Sequence, residues 1–312
     1  MISSSDWEEP LCPVCHTHNP PKGGKILYKF PLTIIPGFEG TEGPFSPAEL
    51  KIVRCERCEL VYLSPRPKES AMSKIYESPE YFEGGAQGGY DDYKGQEKAL
   101  QLTFRWFLRK LKKKGYTGGT LLDVGCGPGL FLKEARHYFH RIIGTDLSKE
   151  VAQEAASHCS EAFCGGPLAA KSRGPFDIIT AIGVLEHVYE PVKFLMECAS
   201  LLKDDGHLVI VTPDIMGFWH KLMKRRWPSF KLPEHIAYYS QPSMEFLAHK
   251  AGLRISDLFP YHQAFPLDLV LKRMGFRVSK IGLLKRVNIP LLSVMMTVIL
   301  TKDGENSRQL SI

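Results

Sequence analysis

Two groups of residues in this 312-residue chain have types and spacings suited to chemistry. The first is Asp123, then Gly125-Cys126-Gly127-Pro128-Gly129, then Asp146. Glycines let a backbone approach a ligand closely and take dihedrals closed to other residues. Free N–H groups where such a loop enters a helix favour an anion. A dinucleotide loop of the G-x-G-x-x-G kind would put its third glycine at position 130, which is Leu130. Asp123 stands where it can accept from an ammonium group. Asp146 lies 21 residues after Gly125, at the distance that lets an acid take both ribose hydroxyls. A ligand with an amino-acid end and a ribose end fits both acids, and S-adenosylmethionine has both ends.

The second group is a pair of C-x-x-C knuckles, Cys12-Pro13-Val14-Cys15 and Cys55-Glu56-Arg57-Cys58. Each presents two thiolates on one turn, and four thiolates complete a tetrahedral zinc shell. His16 and His18 are alternative ligands, though four cysteines suffice. The other four cysteines, Cys126, Cys159, Cys164 and Cys198, are scattered. In a reducing compartment paired C-x-x-C reads as metal ligation rather than as disulfides.

The elements that must position these groups follow from periodicity. Leu100, Phe104, Phe107, Leu108 and Leu111 recur at three and four residues, which predicts a helix over 96–114 that stops at Gly115. Strand and helix then alternate. Strands are expected at 120–124, 141–145, 162–164, 176–181, 207–212, 254–259 and 294–301. Helices are expected at 129–138, 149–157 (with Ser148 as N-cap), 191–202 and 242–251. This rhythm implies an α/β fold with a parallel sheet, whose ligand lies beyond the carboxyl ends of the strands. The expected organisation is a zinc-ribbon-like module at 1–65, a connector at 66–95, a cofactor-binding domain at 96–302 and a flexible tail at 303–312.

Bulk properties narrow the field. The chain is 44% hydrophobic and 24% charged, enough for a sizeable core. Net charge is +6, from 40 Lys and Arg against 34 Asp and Glu, which falls short of a nucleic-acid footprint. The longest apolar run, Ile289 to Leu300, is too short for a bilayer, which takes about 20 residues. The first nine residues lack the basic and apolar regions of a signal peptide. The expectation is a cytoplasmic protein with no membrane span.

Asp123 to Gly129, Gly144-Thr145-Asp146, and Phe176-Asp177-Ile178-Ile179 through Val184-Leu185-Glu186-His187-Val188 resemble the class I S-adenosylmethionine-dependent methyltransferases over roughly residues 80–301. The resemblance implies a Rossmann-like seven-stranded sheet with its last strand antiparallel, here Val294 to Thr301. It also implies a cofactor set of Asp123, Gly125, Cys126, Gly127, Gly129, Asp146, Leu147 and Gly183. The loop would line the methionyl end, Asp146 would hold the ribose and Leu147 would pack on the adenine. The acid this family often places after the third strand is absent from Phe163-Cys164-Gly165-Gly166-Pro167.

A sulfonium is already an activated methyl donor, so the protein must align a nucleophile and, for a hydroxyl, take its proton. His187 and His235 are the candidate bases, since histidine titrates near neutral pH. Quinone-pathway O-methyltransferases use a similar Glu-His pair with an acid three residues earlier, where this chain has Gly183. The stretch from Phe218 to Phe230 reads as a cover whose aromatics face the substrate and whose basic residues face out. Leu60 to Pro67 resembles the ribbon-to-domain junction of methyltransferases from sugar and natural-product pathways. The expected acceptor is therefore a small molecule, methylated at oxygen or carbon. An RNA-modifying methyltransferase and a non-catalytic cofactor-binding scaffold are the rival readings. The Asn/Asp-Pro-Pro-aromatic motif of base amino-group methylation is absent at Ala181 to Val184.

Overall fold

A computed structural model describes residues 6–18, 24–32, 47–76, 96–267, 271 and 287–304. Tyr90 and Tyr93, expected near the cofactor pocket, lie outside the described residues, as do most of the connector and positions 305–312.

Among the described residues, the N-terminal part holds five strands: β1 (Trp7–Glu8), β2 (Gly24–Pro31), β3 (Glu49–Cys55), β4 (Val61–Ser64) and β5 (Arg66–Pro67). A helix, α1 (Glu69–Tyr76), follows. Strands β1 and β5 pair with each other, while β2, β3 and β4 form an antiparallel sheet.

The long helix expected from periodicity is α2 (Glu97–Lys114). It buries Phe104, Phe107, Leu108 and Leu111 against Phe131, Tyr261 and Ile299. Fully burying one such side chain stabilises by about 1.5–3 kcal/mol. Its end is set twice over. Lys112, Lys113 and Lys114 lie at the negative end of the helix dipole, and Gly115 takes a left-handed φ of 85° with its N–H on Lys112 O.

Next come β6 (Thr120–Val124), α3 (Leu130–Ala135), β7 (Arg141–Asp146), α4 (Lys149–Ala155) and β8 (Glu161–Cys164). Ser148 caps α4 as expected, accepting from Val151 N. After these come β9 (Phe176–Ile182), α5 (Pro191–Leu201) and β10 (Leu202–Pro213). The chain closes with α6 (Phe218–Met223), β11 (Ala237–Tyr238), α7 (Gln241–Lys250), β12 (Leu253–Pro266) and β13 (Asn288–Lys302).

Seven of these strands make one sheet in the order β12-β13-β10-β9-β6-β7-β8. The five from β8 to β10 are mutually parallel, and β13 runs antiparallel to both β10 and β12. The chain leaves β6 to one side for β7 and β8, then crosses to the other side for β9 and β10. That reversal opens a crevice at the carboxyl end of β6, the place where open α/β sheets bind ligands. This is the doubly wound sheet with an antiparallel last strand that the sequence led one to expect.

One element was not expected. Strand β11 leaves the large sheet's neighbourhood and pairs with β4, Ala237 opposite Tyr62 and Tyr238 opposite Val61. The small sheet therefore reads β11-β4-β3-β2, with its fourth strand supplied from the other end of the chain. The stretch from Phe218 to Phe230 also differs from expectation. Trp227 and Phe230 pack with Phe30 and Tyr238 in the core of this small sheet, because aromatic bodies find apolar partners there. Lys221, Lys224, Arg225 and Arg226 do face outward.

Candidate active site

The donor side is built on the β6–α3 turn. Gly125, Gly127 and Gly129 have φ of 69°, 54° and 88°. At Gly125 a side chain is barred on two counts: the φ is left-handed, and a Cβ would come 2.5 Å from Val184 Cγ2. The N–H groups of Gly125 and Cys126 both donate to Thr145 O, at 2.8 and 2.9 Å, which locks the turn to β7. Cys126 turns its thiol inward, close under Gly144, where an added Cβ would sit 2.8 Å from the sulfur. Only the backbone of Cys126 can therefore face a ligand in the loop.

Asp123 is almost wholly buried and accepts a 2.6 Å hydrogen bond from Thr180 Oγ1 on the adjacent strand β9. Burial pushes its carboxyl up to about 7; the Thr180 hydroxyl opposes this, and the Asp146 charge adds to it. Asp146 accepts from Gly127 N and Ser148 N, each at 3.0 Å, and burial raises it too. Two desolvated carboxylates flank the loop, and neither forms an ion pair with a described residue. A cationic ligand would relieve both. Leu147 follows at once, 70% exposed, an apolar side chain held out beside the crevice. These residues fit a ligand with an ammonium, a ribose and a flat apolar ring.

Gly183 ends β9 with φ of 69° and its N–H on Val211 O. A short turn, Leu185–His187, follows. Glu186 is buried and accepts from Thr212 Oγ1 at 3.0 Å; burial raises its carboxyl to about 7. The structure brings the two expected histidines together. The His187 and His235 rings meet edge to face, with centroids 4.7 Å apart. His187 Nδ1 lies 3.1 Å from Glu234 O, and His235 Nδ1 lies 2.9 Å from Ser229 O. A carbonyl oxygen can only accept, so each Nδ1 carries a proton and each Nε2 keeps its lone pair. Burial first, then the Lys231 charge, lowers His187 to about 4. Burial, His187 and Lys231 lower His235 further. Both rings are thus neutral near pH 7. Glu186, His187 and His235 each offer one ligand atom, and the three atoms lie within 4.8 Å of one another.

Two supporting residues escaped the sequence reading: Thr180 and Thr212. Their signal is a polar side chain inside an apolar strand. Thr180 interrupts Phe176 to Ile182, and Thr212 ends Leu208 to Val211. Each threonine meets a buried acid.

The four cysteines converge as the spacing suggested. Cys12, Cys15, Cys55 and Cys58 present sulfurs within 4.8 Å of one another. The 3.4 Å contacts of Cys12 with Cys58 and of Cys15 with Cys55 are far longer than a disulfide of about 2.05 Å. The two knuckles repeat one turn. His16 N donates to Cys12 O and Glu59 N to Cys55 O, and His16 and Glu59 have φ of 56° and 60°. The cluster that could hold a metal ion is the four thiols, and neither His16 nor His18 belongs to it. Such a set suits a soft or borderline cation.

The knuckles and the histidines are linked through residues 236–239. Leu63 N donates to Ile236 O, and Ile236 N donates to Glu186 O, each at 2.9 Å. Tyr239 OH donates to Leu185 O at 3.3 Å. The four cysteines share one continuous core with Leu185, Ala237 and Tyr239.

The fold and this site define an α/β protein of the methyltransferase class. A family model described as a methyltransferase domain matches residues 96–258, just over half of the chain, and the chain belongs to this family of class I S-adenosylmethionine-dependent methyltransferases. Among curated relatives, it is 34% identical over 105 residues to a ubiquinone biosynthesis O-methyltransferase of Caulobacter vibrioides, covering 31% of this chain and 42% of that one. It is 33% identical over 135 residues to the enzyme of the same description from Vibrio campbellii, covering 39% of this chain and 56% of that one. The chain thus spans about half the length of the curated relatives it matches. Among solved structures, the magnesium protoporphyrin IX methyltransferase of Synechocystis PCC 6803 shares the fold. Its TM-score is 0.50 at 13% identity, over 75% of this chain and 100% of that one. Among the described residues, no helix is long and apolar enough to cross a membrane.

Proposed function

We propose that this chain transfers a methyl group from S-adenosylmethionine to a hydroxyl oxygen of a small-molecule acceptor. The observation that carries the reading is the pairing of His187 and His235, two neutral imidazoles with Nε2 lone pairs, beside Gly183 at the end of β9. The similarity to O-methyltransferases supports oxygen over carbon.

Bound S-adenosylmethionine would supply an electrophilic methyl on sulfur. Asp123 would accept from its ammonium, Asp146 would hold the ribose hydroxyls, and Leu147 would cover one face of the adenine. An Nε2 of the histidine pair would take the proton of the acceptor hydroxyl as its oxygen receives the methyl, with S-adenosylhomocysteine as the leaving group. Their lowered pKa values leave both rings unprotonated throughout the neutral range, so each can accept a proton, as a weaker base than free imidazole.

The four thiols would hold one zinc ion, which ties the two knuckles together and takes no part in transfer. Metal analysis of the purified protein should give one zinc per chain. The decisive experiment on function is a panel of phenols, catechols and sugars with S-adenosylmethionine. The expected result is S-adenosylhomocysteine matched by a methylated acceptor stable to mild base. Tight cofactor binding with no turnover by any acceptor, or methylation at carbon, would overturn the reading.

A further inference from the structure

Large exposed apolar side chains are scattered along most of this molecule, but not between β10 and β11. Of the eleven such residues among those described, four fall within eight positions: Met216, Phe218, Leu222 and Met223, at 51%, 59%, 63% and 37% exposure. Single exposed apolar residues need no explanation, whereas a contiguous group marks a contact surface. Phe218 and Leu222 are one turn apart on α6, so they share a face.

The charge around them is mainly positive, with Asp214, which accepts from Met216 N, at the edge of the patch. From Ile215 to Pro233 the chain carries Lys221, Lys224, Arg225, Arg226 and Lys231 and no acid. That is five positive charges in 19 residues of a chain whose whole excess is six. Lys221, Lys224, Arg225 and Arg226 are all exposed.

The apolar residues cannot simply turn inward. The inner side of this stretch is taken: Trp219, Trp227 and Phe230 pack in the small sheet's core, His220 meets Trp227 and Phe230, and Tyr28 OH bonds His220 Nε2 at 3.2 Å. Arg225 lies over the Phe30 ring at 5.0 Å. The patch is therefore displayed on a packed platform.

We propose that this patch docks the protein onto an anionic lipid bilayer. Met216, Phe218, Leu222 and Met223 enter the headgroup–acyl boundary, and Lys221, Lys224, Arg225 and Arg226 bind lipid phosphates around them. This is the chemistry of an interfacial basic, apolar segment. A second copy of the chain fits less well, because a two-fold contact would face two like-charged patches. A nucleic acid fits less well too, because three of the four exposed apolar side chains, Met216, Leu222 and Met223, offer no aromatic face for bases to stack on, and Phe218 alone does. The docking stands independently of the acceptor's identity. The same stretch of chain carries Ser229, whose carbonyl meets His235 Nδ1, so docking would involve a segment that touches the His235 side of the site.

The test is vesicle co-sedimentation of the full chain at physiological salt, using phosphatidylcholine alone and phosphatidylcholine with one quarter phosphatidylglycerol. Binding to the mixed vesicles should exceed binding to the neutral ones by at least about tenfold and weaken with added salt. Phe218→Ser with Leu222→Ser should weaken binding to mixed vesicles at least about tenfold, and so should Lys224→Gln with Arg225→Gln and Arg226→Gln. S-adenosylmethionine affinity, read by calorimetry, serves as the folding control and should not change in either variant. Three results would overturn the proposal: no binding to mixed vesicles, equal binding by the apolar double variant, or a dimer in light scattering that Leu222→Ser dissolves. Stronger binding to single-stranded RNA than to mixed vesicles would overturn it as well.

Discussion

The proposed donor side and the proposed acceptor side of this site are built in opposite ways. Every donor residue comes from the β6–β7 segment or the end of β9, and each sits on the large sheet. The acceptor side joins His187, from the turn after β9, to His235, which comes 48 positions later and just precedes a strand of the other sheet. The donor side thus rests on one rigid layer. The acceptor side depends on the docking of two. A fold can therefore keep its donor chemistry fixed while an added module reshapes what is methylated.

The sharpest way to break this comparison is to remove the metal expected at the cysteines. Cys12→Ser with Cys58→Ser, or chelation, should lower methyl transfer at least about a thousandfold, since metal sites of this kind contribute on the order of 10 kcal/mol to their modules. Calorimetry should still find S-adenosylmethionine affinity within about threefold of the parent protein. A parallel collapse of cofactor binding would show that the two sides are one unit.

A smaller effect is expected at His235. His235→Ala should reduce kcat by about 10²–10⁴, the usual contribution of a positioned base, with cofactor affinity untouched. Unchanged kcat would remove the histidine pair from the mechanism.

On the donor side the expected signature is a pH dependence. The Asp123 carboxyl sits near 7 without ligand, so below that pH it is mainly protonated. Accepting from an ammonium requires it to ionise, so binding releases a proton and affinity rises with pH. Between about pH 5.5 and 7.5 the cofactor Kd should tighten by up to about tenfold per unit below the pKa, levelling above it. Asp123→Asn should flatten that slope, and a slope that survives the change places the titrating group elsewhere. The smallest effect is expected at Leu147. Leu147→Ala should loosen cofactor binding by about fivefold, since only part of an apolar side chain's burial is lost.

The same contrast explains what the sequence revealed. Thr120 to Val124 was read to the residue, because strand, acid and glycine turn are contiguous and each has a local physical cause. The convergence of four cysteines followed from two identical spacings. Strand β11 had no such signal. It has two residues, Ala237 and Tyr238, and its partners Tyr62 and Val61 lie about 175 positions earlier. Trp227 and Phe230 were read as substrate-facing because aromatic residues suit either role. Only the presence of Phe30 and Tyr28 beside them decides the matter. The acid that this family often places after the third strand is absent from Phe163 to Pro167, so the sequence names no residue for the adenine amino group.

Strand β11 also sets an order of events during synthesis. Sheet β2-β3-β4 can pair as soon as its own residues emerge, but its fourth strand is made only after the parallel core of the large sheet. Until then the β4 edge near the cysteines is open, and open edges invite pairing with other chains. The small sheet is started first and finished late, so the nascent chain carries an open strand edge until residues 237 and 238 are made.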